Sequence, residues 1–225
     1  MKRVLLFCCS ILTLLLSCDV GVYRESLIHC YLEIDPSGEA ISYKEASSVK
    51  VVLPTSMYAQ CLQYEPTREE ERVWKEKHQE LSLQYSDIGF NAWTALDYPF
   101  IGCWAFPFEA FDVVSNADYD DVHLAGVSLN DIVEITYTTH KYFIENGYKH
   151  TDTNRSVNDY SGDKVTKRLS ELQPEDSIFM EAGYFSLRFV EQPTAAQSHT
   201  FTVTVEFEHG EPYSFSFDMD FPSAE

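Results

Sequence analysis

The chain has 225 residues, with 36 Asp and Glu against 16 Lys and Arg, a formal net charge of −20. So acidic a surface excludes a phosphate polymer as partner, and no nucleic acid is expected. Aromatic residues make up 14% and apolar residues 44%; this excludes a disordered chain and supplies a core for one large domain or two small ones.

Met1–Ser17 opens with Lys2 and Arg3 and continues as the apolar run Val4–Leu16. The run is shorter than the ~20 residues that a membrane-spanning helix needs and fits a secretory signal peptide over 1–17. Leu15-Leu16-Ser17-Cys18 follows, and it resembles the lipobox of bacterial lipoproteins. The resemblance implies that Cys18 is lipidated and becomes the first residue of the mature chain, so that lipid makes the membrane contact. Residues 18–26 then form the lipidated cysteine and a tether, and 27–225 a single β-rich domain. Of the six cysteines, Cys30, Cys61 and Cys103 remain available for other chemistry. An exported compartment permits a disulfide, and three thiols allow at most one internal bridge, 30–103 or 61–103. Buried free thiols fit equally well. No cysteine pair has the C-x₂-C spacing of a zinc site.

Ile28, Cys30, Leu32 and Ile34 alternate with polar or aromatic neighbours and predict a strand. Asp35–Gly38 reads as a turn, and Val49, Val51 and Leu53 as a second strand ended by Pro54. Residues 67–85 predict one inserted α-helix of about four turns, with Thr67 and Glu70 at capping-box spacing. His78 and Trp74 fall on its inner face. The aromatic stretch from Phe90 to Val114 reads mainly as core; the alternative is a sugar-stacking platform, with Trp74, Trp93 and Trp104 as candidates. Val133, Ile135 and Tyr137 mark a strand, 151–163 a polar loop, and 164–173 a short helix facing Val165, Leu169 and Leu172 inward. Phe185, Leu187 and Phe189 alternate in the next strand. The C-terminus is a hairpin: Phe201–Phe207 and Tyr213–Phe221 alternate apolar and polar, joined at His209-Gly210. The expected fold class is mainly β, an immunoglobulin-like β-sandwich with one inserted helix and short helical turns.

Phe111–Asp121 with His123, Gly126 and Ser128–Ile132, and Leu187–Thr194 with Ser198–Val205, resemble an uncharacterised family of Bacteroidetes-type cell-envelope lipoproteins. The resemblance spans the lipobox and the second half of the chain. It implies a mainly β envelope lipoprotein and no activity. Asp176-Ser177-Ile178 resembles the acceptor for protein O-glycosylation in such bacteria, which would make Ser177 a sugar carrier on an exposed loop.

Asn116, Asp118 and Asp120 stand at positions 1, 3 and 5 of a calcium loop, but Asp121 and Val127 occupy the positions that need Gly and Glu. Side-chain-to-backbone turns explain the stretch as well. Asp152, Asn154 and Asp163 form a weaker case of the same kind. There is no G-x-S-x-G, H-E-x-x-H, P-loop or dinucleotide fingerprint, so no cofactor is expected. The reading is a lipid-anchored envelope protein of the outer membrane with a non-catalytic binding or assembly role. A surface glycan-binding lipoprotein is the alternative, and a hydrolase with dispersed carboxylates a third.

Overall fold

In the computed structural model, residues 21–62, 66–95, 100–156 and 159–222 are described. The signal peptide and Cys18 lie outside them. The elements begin with β1 (Gly21–Arg24), β2 (Cys30–Ile34), β3 (Ile41–Glu45), β4 (Ser48–Val52) and β5 (Thr55–Gln60). Next come helix α1 (Glu69–Gln84), β6 (Ala92–Ala95), β7 (Gly102–Trp104), β8 (Phe108–Ser115), β9 (Val133–Thr139) and α2 (Lys141–Glu145). The chain continues through β10 (Asp163–Arg168), a 3-10 turn (Leu169–Glu171), α3 (Pro174–Ser177), β11 (Tyr184–Phe189), β12 (Ser198–Phe207) and β13 (Tyr213–Asp220).

The protein is mainly β, a sandwich carrying one long helix. Strict alternation decides which side chains turn inward. In the five-stranded sheet β10-β9-β11-β4-β3, the inner face presents Val49, Val51, Val133, Ile135, Phe185, Leu187 and Phe189. The three-stranded sheet β13-β12-β8 presents Val113, Phe201, Val203, Val205, Phe217 and Met219. All of these fall in one buried cluster. Its centre is a run of rings, with Phe201 4.3 Å from Phe189 and 5.5 Å from Phe217. The register Phe201↔Phe217, Val203↔Phe215 places the hairpin's apolar residues opposite one another, as expected. Gly210, at φ +106°, makes the turn.

A second core lies beside the sandwich. The sheet β5-β2-β7, with β2 and β7 parallel, and helix α1 bury Leu27, Ile28, Tyr31, Leu81, Phe90, Ile101 and Cys103 together with Phe143 and Phe179. Among the described residues no helix is long and apolar enough to cross a membrane.

Helix α1 starts two residues later than expected. Arg68 is its N-cap, and the carboxylate of Glu71, not Glu70, accepts from the backbone N–H groups of Thr67 (3.2 Å) and Arg68 (3.4 Å). Glu71 wins because Arg68 also grips its other oxygen at 2.7 Å. The buried stripe is Glu71, His78, Leu81 and Ser82, with Trp74 half-buried at its edge. Val73 is 36% exposed, so the stripe through His78 faces inward and Val73 lies to its outer side.

Three other expectations change. Residues 164–168 form strand β10 rather than a helix, because Val165 pairs opposite Tyr137 in a ladder that uses every residue from Asp163 to Arg168. Only the 3-10 turn keeps helical character. The expected tether is structured from Gly21 onward, since β1 pairs with β6. Strands β3, β5 and β7 extend the sheets where no alternation was read.

Candidate functional site

The two cores satisfy their backbones differently, and the difference creates the site. Residues 27–29 run into β2 before its ladder begins, and side chains take the place of ladder partners. The Asp87 carboxylate accepts from Leu27 N–H at 3.0 Å and from Ile28 N–H at 2.9 Å. The Tyr148 hydroxyl donates to the same group at 3.0 Å. His78 Nε2 donates to the Ile28 carbonyl at 2.9 Å, and His29 Nδ1 accepts from Ile101 N–H at 3.3 Å. Asp87 reaches this position because Ser86 takes a left-handed turn (φ 62°) after α1.

Burial sets the charge of this seam. It pushes the Asp87 carboxyl up, against the hydrogen bonds from Leu27 and Ile28 that pull it down. It pushes His29 down to about 3, helped by the charges of Arg24 and His78, and it lowers His78 as well. Both imidazoles are therefore neutral near pH 7. Since His78 donates through Nε2, its Nδ1 is an acceptor and faces Ser82 Oγ at 3.5 Å. Tyr31 is fully buried, and its hydroxyl has no hydrogen-bond partner among the described residues.

Two clefts flank the seam. The first, about 720 Å³, opens between β1 and α1 and is floored by His78, Ser82 and Asp87. Its rim exposes Tyr23 (45%), Leu83 (64%) and Ile88 (53%). Arg24, Lys75 and Cys61 also line it. The second, about 620 Å³, is walled by Phe100, Tyr160 and Tyr184, with His140 and Glu181 at its floor. His140 Nε2 and Glu181 Oε1 are 2.9 Å apart.

Among the described residues neither cleft assembles a nucleophile, a base and an orienting group; in the second, Ser161 Oγ donates to Asp159 rather than to His140. Ser82 sits at 3.5 Å from His78, beyond the ~3.2 Å reach of an effective pair. The far side of that imidazole meets a carbonyl, not a carboxylate. The Cys61 thiol is pushed up, chiefly by burial, with Arg24 opposing; it stays protonated and is a weak nucleophile. Among the described residues no group of three His, Cys, Asp or Glu could hold a metal ion.

The residues singled out in sequence do not converge. Asn116 Oδ1 accepts from Thr200 N–H and Asp118 Oδ1 from Ala125 N–H, both at 2.8 Å. Asp120 accepts from Val122 and His123 N–H and holds the His123 ring at 2.8 Å. Each oxygen is turned to a different part of the loop, so these residues are braces rather than a calcium shell. Asp152 likewise caps Asn154, and Asp163 pairs with Arg155. Trp104 is 2% exposed, against Phe207 and Phe108, and offers no face to a sugar. Trp93 lies in β6, and its side chain is outside the described residues. The aromatic stretch does reach solvent at Phe100, which is 58% exposed.

Ser177 is fully buried rather than on an exposed loop: its Oγ donates to the Pro174 carbonyl and accepts from Phe108 N–H at 2.8 Å. It closes α3 and cannot carry a sugar in this fold. Cys30, Cys61 and Cys103 are free thiols. In the parallel pair Cys30 opposes Gly102 while Cys103 opposes Tyr31, so the two sulfurs leave opposite faces of the sheet.

Asp87, His29, His140 and Glu181 carried no sequence signal. Their partners lie about 40 to 70 residues away in the chain, and no short spacing records such a contact. No family model, no curated protein and no solved structure matches this chain.

Proposed function

We propose that this is a lipid-anchored cell-envelope protein, held in the outer membrane through Cys18, that binds an amphipathic ligand in its first cleft without catalysis. The observation that carries the reading is the cleft's build: an exposed apolar rim of Tyr23, Leu83 and Ile88 over a floor where the Asp87 carboxylate and the His78 imidazole are committed to backbone. A rim of this kind is what a ligand with an apolar part covers. Committed floor groups orient a ligand but do not react with it, which favours binding over hydrolysis.

Position supports the same reading. β1 begins at Gly21, three residues beyond Cys18. An extended span of that length is roughly 10 Å. An anchor at Cys18 therefore holds the cleft's β1 wall at the bilayer surface. The excess of acidic residues keeps the remaining surface off anionic headgroups, so lipid makes the attachment. The membership suggested by the Asn116–Asp131 stretch agrees with an envelope lipoprotein. A sugar platform built on tryptophan has less support, because Trp104 is core.

Two experiments test the proposal. Cys18→Ala is expected to move the protein from the membrane to the soluble fraction; retention in the membrane would overturn the anchor. The purified protein is expected to bind the apolar probe 1-N-phenylnaphthylamine saturably, and Leu83→Asp with Ile88→Asp to abolish binding. Undiminished binding in that folded variant would overturn the cleft's role.

A further inference from the structure

The second cleft differs from the first in charge. Among the described residues no Lys or Arg lines it, whereas Arg24 and Lys75 line the first. Its wall carries three aromatic rings. Phe100 is 58% and Tyr184 43% exposed, so both rings reach solvent at the cleft, Phe100 beside the His29 ring 5.6 Å away. Tyr160 is held edge-on by Phe90, 5.4 Å away at 82°. The Tyr184 ring already accepts one cation, the Lys50 ammonium 4.7 Å from its centroid, and Lys50 is not part of the cleft wall.

The floor supplies one carboxylate oxygen. Glu181 Oε1 is taken by His140, and Oε2 has no other partner among the described residues. Asp159, the other acid lining the cleft, spends its oxygens on Ser161 and Arg155. Ring faces present the negative side of the aromatic quadrupole, and beside a carboxylate they attract an organic cation that sheds water easily. The field of a chain with net charge −20 acts in the same direction. An anion meets repulsion from every one of these groups. A neutral sugar could use the rings but not the charge of Oε2.

We propose that the second cleft binds the alkylammonium group of a small organic cation, with Phe100, Tyr160 and Tyr184 enclosing the group and Glu181 opposite its charge. The volume of about 620 Å³ exceeds that of one trimethylammonium group and leaves room for the chain or ring attached to it. The site stands apart from the first cleft and does not rest on the ligand proposed there.

The test is titration calorimetry of the full mature protein with choline. Its neutral isostere 3,3-dimethyl-1-butanol, and maltotetraose, serve as comparisons. Choline is expected to bind at least tenfold more tightly than the isostere, with affinity falling as NaCl rises from 20 to 200 mM. Glu181→Gln keeps an acceptor for His140 and is expected to weaken binding about tenfold. Tyr184→Ala is expected to weaken it at least fivefold, and Tyr184→Phe to leave it unchanged. Leu83→Asp, in the first cleft, is expected to have no effect. Equal affinity for the isostere, binding of maltotetraose in place of choline, or no choline binding by folded protein would each overturn the proposal.

Discussion

The sandwich and the helix-bearing layer beside it solve one problem in two ways. Both must bury backbone without orphaning its polar groups. The sandwich does so chiefly with strand ladders, helped at β8 by Asn130 and Ser177, and its core is apolar and aromatic around one buried polar pair, Ser115 and His199. The helix-bearing layer has short strands, and a carboxylate and two imidazoles stand in for missing ladder partners. Side chains are bulkier and less regular partners than a neighbouring strand. Both clefts lie where they are used.

If the sandwich supplies most of the stability, Phe201→Ala should have the largest effect. It removes the ring at the centre of the core and is expected to destabilise by about 4 kcal/mol in guanidinium unfolding. Asp87→Ala comes next. It strands two backbone donors and the Tyr148 hydroxyl, for an expected loss of about 3 kcal/mol. Asp87→Asn should lose less, because one acceptor oxygen remains. A loss below 0.5 kcal/mol for Asp87→Ala would show that the seam is not structural.

Acidity sharpens the comparison, because the two regions respond with opposite signs. His29 and His78 have folded pKa values below their unfolded ones, so their contribution is present above 6.5 and is lost as pH falls toward about 3. For His29 the loss is about 1.4 kcal/mol per pH unit within that window. Asp87, raised by burial, opposes this only once pH falls far enough to protonate it in the fold. In the sandwich's loop, burial alone would depress His123, but its hydrogen bonds and charge pairing with Asp120 and Asp131 outweigh burial and raise it. Its contribution is present below 6.5 and is lost as pH rises through the raised value. Amide exchange at Val122, His123 and Ala125 should therefore quicken on the alkaline side, and His123→Gln should remove that dependence. The smallest effect is expected at Arg188→Ala on the outer sheet face. Its pair with Glu134 is half exposed, and the loss should stay below about 0.5 kcal/mol.

The same contrast explains what could be read from sequence. Phe185-Leu187-Phe189 and Phe201 to Val205 alternate because each strand has one wet and one buried face, and period two records that directly. The helix was legible from its punctuation and stripe, although its cap lay one residue later, at Glu71. Strand β3 escaped notice because it is an edge with both Ile41 and Tyr43 exposed, so no face is set by burial. Residues 164–168 carry a helical pattern, because Val165, Leu169 and Leu172 share helical spacing by coincidence, while pairing with β9 decides the backbone. Of the candidate site only His78, on the inner face of the helix, was legible. Asp87 and Leu27 are 60 residues apart, and His140 and Glu181 are 41 apart. Asn116, Asp118 and Asp120, at calcium-loop spacing in the sequence, are loop braces.

Hydrogen exchange resolved by residue, at pH 7 and pH 5 and corrected for intrinsic rates, tests most directly the claim that the two regions are held by different chemistry. The account predicts that Leu27, Ile28 and the amides of α1 lose protection at pH 5, while Phe201, Val203 and Val205 keep theirs. Equal protection changes in both regions, or a larger loss in the sandwich strands, would contradict it.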